Sequence, residues 1–154
     1  MGLIGLISDT HGLVRPSVFD ALAGVELILH AGDVGDGVLE ELQVIAPVQA
    51  VYGNTDPIDH PELSPAIEME RDGVSIHVSH GHELGSPTPD KLLAKYSADV
   101  IVYGHTHKQL VVNAGRRWVV NPGAAGQRRF KLQPSVGRLS IARGEISIEI
   151  IELE

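Results

Sequence analysis

Four stretches of this chain are almost wholly apolar, only a few residues long, and each is cut off by a glycine-rich turn. They are GLIGLIS from Gly2, VELILH from Val25, VQAVYG from Val48 and DVIVYG from Asp99. Runs this short and this apolar are too short for helices and read as buried strands. Between the first three lie two amphipathic segments. RPSVFDALAG has Pro16 near its start, Val18 and Leu22 four apart, and a stop at Gly24. GVLEELQVIA puts Val38, Leu42 and Ile45 on one helical face. Alternation of short buried strands with helices predicts a βαβαβ beginning and an α/β fold with a parallel sheet.

The second half reads differently. AIEMERDGVSIHVSH, from Ala66, is a hairpin with Asp72-Gly73 at its turn. TPDKLLAKYS is a short helix. QLVVNAGRRWVVN is a second hairpin, and VGRLSIARGEISIEIIELE a third, in which Ile146, Ile148 and Ile150 alternate with Ser147 and Glu149. The reading is parallel strands first and antiparallel hairpins later, in a single domain spanning 1–154 with no linker.

Each of these strands ends in a side chain able to hold a metal. The loops are Ser8-Asp9-Thr10-His11-Gly12, His30-Ala31-Gly32-Asp33, Gly53-Asn54-Thr55-Asp56, Ser79-His80-Gly81-His82 and Gly104-His105-Thr106-His107. In open α/β sheets, functional groups gather beyond the carboxyl ends of strands, so five such loops are expected to converge. Asp9, Asp33, Asn54, His11, His80, His105 and His107 offer carboxylate, amide and imidazole donors. That mixture suits Mn²⁺, Fe²⁺, Zn²⁺ or Ni²⁺, whereas calcium wants more oxygens and structural zinc usually takes cysteine, of which the chain has none. These donors are too many for one tetrahedral ion and match two ions sharing a carboxylate. A lone histidine is often a core residue satisfied by hydrogen bonds. Several in this order, with two Asp and an Asn, are not explained that way. His30, His60 and His77 read instead as buried support, loop and strand.

Composition excludes other classes. A net charge of −8 argues against double-stranded nucleic acid and anionic membrane as partners. No apolar run approaches the ~20 residues of a membrane span, and the polar turn after Ile7 is unlike a signal peptide. The expected location is the cytoplasm. Two dications would still leave the pocket locally positive and open to an anionic ester. Gly32-Asp33-Val34-Gly35-Asp36-Gly37 does not follow the dinucleotide-binding glycine order, and no P-loop or G-x-S-x-G elbow is present.

The series Asp9-x-His11, Gly32-Asp33, Gly53-Asn54, His80 and Gly104-His105-x-His107 resembles the calcineurin-like metallophosphoesterases. Within them it is most similar to the small YfcE-type phosphodiesterases, a likeness running from Met1 to about Arg129 and including Asn121-Pro122-Gly123. The resemblance implies a four-layer αββα sandwich. It implies two divalent ions, Mn²⁺ foremost, one held by Asp9, His11 and His107, the other by Asn54, His80 and His105, with Asp33 between them. It implies hydrolysis of a small phosphate diester by a hydroxide bridging the ions, Asn54 also orienting the phosphate.

Two departures matter. Many members place a histidine after the Gly-Asn pair, where this chain has Thr55, so the proton donor to the leaving group stays open between His82 and Asp56. Asn121-Pro122-Gly123 is followed by Ala124 where the family usually has serine, which loses one hydroxyl; beyond it, Arg128 and Arg129 are candidates to meet the substrate phosphate. A phosphomonoesterase with the same site, and a non-catalytic Vps29-like protein-binding scaffold, are the alternatives; the complete ligand set disfavours the scaffold. The exposed edges of the late hairpins allow a homodimer.

Overall fold

A computed structural model describes residues 2–128 and 131–154 of the chain. The strands are β1 (Gly2–Ile7), β2 (Leu27–His30), β3 (Val48–Val51), β4 (Leu63–Ser64), β5 (Ile67–Arg71), β6 (Val74–Val78), β7 (Val100–Val102), β8 (Leu110–Ala114), β9 (Arg117–Asn121), β10 (Ser135–Ala142) and β11 (Glu145–Glu152). The helices are α1 (Ser17–Ala21), α2 (Val38–Leu42) and α3 (Pro89–Lys95). Among the described residues no helix is long and apolar enough to cross a membrane.

The strands form two sheets, ordered β11-β10-β1-β2-β3-β4 and β5-β6-β7-β9-β8. Side-chain alternation explains why they stack. Leu27 and Leu29 of β2 face the same core as Val100 and Val102 of β7, so that core lies between the sheets. Ile28 turns the other way, onto Val18 of α1, Leu22 just after it, and Val38 and Leu42 of α2. Ile101 and Val119 likewise turn outward onto Leu92 of α3. Three cores separate four layers, helix, sheet, sheet, helix, as expected.

Particular elements depart from the sequence reading. The first two helices have only five residues each, followed by turns. Helices so short do not hold themselves; burial of Val18 and Leu22, roughly 1.5–3 kcal/mol each, keeps α1 on its sheet. Gly5 permits that seat, because a Cβ there would lie 3.1 Å from Leu22 Cδ2. Each sheet is also mixed. The first adds β10 antiparallel to β1, and the second contains a parallel trio, β6-β7-β9, between antiparallel edges. The division into parallel first and antiparallel later is therefore corrected. A late hairpin closes the first sheet because β1 still has a free edge, and β7 enters between two hairpins.

The Asp72-Gly73 turn has positive φ at both residues, 52° and 81°, the turn chemistry that its sequence predicts.

Candidate metal centre

The loops that follow β1, β2, β3, β6 and β7 meet at one end of the two sheets. Their backbones are tied directly: Asp9 N donates to Gly32 O at 2.9 Å, His11 N to Asp33 O at 2.9 Å, and Gly104 N to His80 O at 3.0 Å. Glycine lets them approach. A Cβ on Gly104 would fall 2.1 Å from Ser8 Oγ, and one on Gly53 would fall 2.1 Å from Asp33 Oδ1. Asp9, His11, Asp33, His105 and His107 all adopt left-handed backbone angles, with φ of 54°, 47°, 55°, 72° and 66°. Such angles are unusual for residues with a Cβ and concentrate where a site must be held in shape.

All seven side chains named from the sequence are brought together. Asp9 Oδ1 lies 3.3 Å from His107 Nε2, 3.8 Å from His80 Nε2 and 4.0 Å from His11 Nε2. Asp33 Oδ2 stands between two imidazoles, 3.2 Å from His80 Nε2 and 3.7 Å from His11 Nε2. Asn54 Oδ1 completes the group, 3.1 Å from His80 Nε2 and 3.2 Å from His105 Nδ1.

Where an imidazole nitrogen here carries a lone pair, these contacts set acceptor against acceptor. His80 Nδ1 sits 2.7 Å from the Ala31 carbonyl, so that nitrogen carries a proton and Nε2 is the one that can present a lone pair to a metal. Asp9 Oδ1 and His11 Nε2 are buried, with no hydrogen-bond partner among the described residues. Orphaned buried acceptors of this kind are costly unless a cation joins them. Two sets, Asp9-His11-His107 and Asp9-Asp33-His80, have their donor atoms within 4.8 Å of one another. The donor chemistry therefore fits divalent ions.

Titration tells the same story. Burial works against charge on His80, but its bond to Asp33 and the charges of Asp9 and Asp33 outweigh it, and its pKa is raised. Burial likewise opposes ionisation of Asp33, yet His80 and the Thr55 amide and hydroxyl hold its carboxyl well below the usual range. His105 moves down, through burial and then the charge of His80. The buried carboxylates draw positive charge toward the cluster.

The remaining candidates separate. His82 lies beside the cluster, its ring 5.4 Å from that of His80 and 6.4 Å from that of His105. Its Nδ1 is buried, with no hydrogen-bond partner among the described residues. Asp56 is placed otherwise. Its carboxylate accepts from the amides of Val34, Gly35 and Gly53 at 2.9–3.2 Å, which staples the loop after β2 to the loop after β3. Both oxygens accept hydrogen bonds, which gives Asp56 a loop-anchoring place, while His82 stands nearer the imidazoles of the cluster. Arg128 is exposed beyond a segment that runs along β1's exit through Ala125 N to Ser8 O and Gly126 N to Asp9 O. Arg129 lies outside the described residues.

His30 is support, as read. Its Nε2 meets the Thr10 hydroxyl at 3.0 Å, its Nδ1 accepts from Gly32 N, and burial pushes its pKa down to about 4. His77 is a buried strand residue between Glu68 and Ser79. Sequence reasoning passed over Ser8 and Thr55, whose hydroxyls bond Asp9 and Asp33. The available signal was a hydroxyl residue directly beside a ligand at the end of a strand.

Comparison with known proteins fits this geometry. The profile of the calcineurin-like phosphoesterase superfamily domain matches residues 3–144. The chain belongs to that superfamily. It is 37% identical over 160 residues to a probable metallophosphoesterase of Methanothermobacter thermautotrophicus, covering 97% of this chain and 91% of that protein. It is 35% identical over 98 residues to the phosphodiesterase YfcE of Escherichia coli, covering 56% of this chain and 50% of that one. A single-site variant of Vps29 from Entamoeba histolytica has the same fold, with a TM-score of 0.80 at 23% identity over 99% of both chains. Membership in the superfamily makes this chain a phosphoesterase and implies divalent metal ions.

Proposed function

We propose that the protein is a dinuclear phosphodiesterase acting on a small phosphate diester. The observation that carries this reading is the cluster of unpaired atoms, Asp9 Oδ1, His11 Nε2 and the donors around them, which divalent cations would reconcile. Asp9, His11 and His107 would hold one ion, and Asn54, His80 and His105 the other, with Asp33 Oδ2 reaching both. Bound there, the ions supply Lewis-acid polarisation of the phosphate and a water acidic enough to attack at neutral pH.

The chain's own groups do the rest. Asn54 turns its oxygen to His80 and His105, which leaves its NH₂ to donate to a phosphate oxygen and set the orientation of attack. His82 gives a proton to the departing alkoxide while the new P–O bond forms. Neither step needs a protein nucleophile. The acidic protein surface does not repel the anionic ester at the site, because two dications outweigh two carboxylates. Mn²⁺ heads the candidate metals, with Ni²⁺, Fe²⁺ and Zn²⁺ chemically compatible.

Hydrolysis of bis-p-nitrophenyl phosphate and p-nitrophenyl phosphate tests the reading. Chelator-stripped protein is expected to be inactive, and added Mn²⁺ to restore cleavage of the diester well above that of the monoester. Asn54→Ala is expected to lower the diester rate about a hundredfold, in line with the loss of one oriented polar contact to the transition state. Faster cleavage of the monoester would indicate a phosphomonoesterase. Folded protein that binds ions and cleaves neither would point to the scaffold role.

A further inference from the structure

The two carboxylates of the centre are divided in the same way. Asp9 Oδ2 accepts from the Ser8 hydroxyl at 2.6 Å and from the His105 amide at 3.2 Å, while Oδ1 has no donor among the described residues and faces His107 Nε2. Asp33 Oδ1 accepts from the Thr55 hydroxyl at 2.8 Å and the Thr55 amide at 3.0 Å, while Oδ2 faces His80 and His11. Each carboxylate thus has one oxygen engaged by a hydroxyl and an amide and the other turned to the imidazoles. The hydroxyls come from unrelated places, the end of β1 and the loop after β3.

We infer that Ser8 and Thr55 are positioning residues that make Asp9 and Asp33 one-oxygen ligands. An unrestrained carboxylate can rotate and chelate an ion through both oxygens. With one oxygen held by two donors, that rotation breaks two hydrogen bonds. The ion then keeps positions open for water and the ester. A hydroxyl suits the task because it donates without bringing charge, so both carboxylates retain full attraction for the ions. A lysine there would compete with the metal. The bare strand end at Gly104 is part of the same arrangement, since a Cβ would occupy the place of the Ser8 hydroxyl. Thr55 therefore has a task where other members carry a histidine: it orients Asp33.

The inference rests on reading the cluster as a metal centre, and its test separates the two. Mn²⁺ affinity is measured by competition with a chelator for wild type, Ser8→Ala, Thr55→Val and Thr55→Ser, alongside the thermal midpoint of each metal-free protein. Loss of a group that orients a metal ligand typically costs ten- to a hundredfold in affinity. Ser8→Ala and Thr55→Val are each expected to bind Mn²⁺ at least about tenfold more weakly, while Thr55→Ser keeps wild-type affinity. Thr55 is exposed, so its variants are expected to fold even where Ser8→Ala loses stability. Wild-type affinity in folded Thr55→Val would overturn the inference while leaving the metal centre intact. A wild-type protein that bound no divalent ion would overturn both.

Discussion

Asp9, His11, Asp33, His105 and His107 are held in left-handed backbone angles, each a conformation that costs energy for a residue with a Cβ. The surrounding glycines make that holding feasible. Gly104 is the sharpest case, because an added Cβ would meet Ser8 Oγ at 2.1 Å and Asp9 Oδ2 at 2.7 Å, both in a buried corner. Neither atom has room to retreat without breaking the bond between them. Gly104→Ala is expected to destabilise the metal-free protein by about 1–3 kcal/mol, the usual cost of overpacking, and to weaken metal binding with it. Urea unfolding checks the first part; a midpoint equal to wild type would contradict it. The seven candidate ligands were legible in the sequence because carboxylate, amide and imidazole recur at strand ends. The backbone angles and the hydroxyls behind Asp9 and Asp33 were not, since spacing alone does not say which oxygen a neighbour will engage.

At the scale of elements, the centre depends on how strand-end loops are fastened to one another. Asp56 fastens two of them, accepting from Val34, Gly35 and Gly53. Removing it leaves the amides of Val34 and Gly53, both buried residues, without that partner, at about 1–3 kcal/mol for a buried donor. Asp56→Ala is expected to lower the unfolding midpoint while the acidic and basic limbs of the diester pH–rate profile stay where they are in wild type. A displaced limb would make Asp56 the proton donor. Its sequence position next to Thr55 made it look reactive, because a carboxylate in a glycine-rich loop serves catalysis and loop anchoring equally well. The strands β1, β2, β3 and β7 were legible, being continuous apolar runs between turns. β4 was not, because Leu63 and Ser64 pair with β3 only in the folded chain. The helices read too long for a related reason. Periodicity continues through Ile45, but Val44 is left exposed and the backbone turns after Leu42.

At the scale of the whole molecule, two sheets present the carboxyl ends of parallel strands to one place, β1-β2-β3 from one side and β6-β7 from the other. The first sheet carries both carboxylates and Asn54, and the second delivers His80, His105 and His107. Neither sheet alone holds a complete set of ligands, which ties the centre to the packing of the sheets on Leu27, Leu29, Val100 and Val102. The central claim, two ions with Asp33 between them, is most directly tested by anomalous scattering from crystals of the Mn²⁺-loaded protein. Two peaks are expected, one beside Asp9, His11 and His107 and one beside Asn54, His80 and His105, both in contact with Asp33. A single peak, or none at this cluster, would contradict the account.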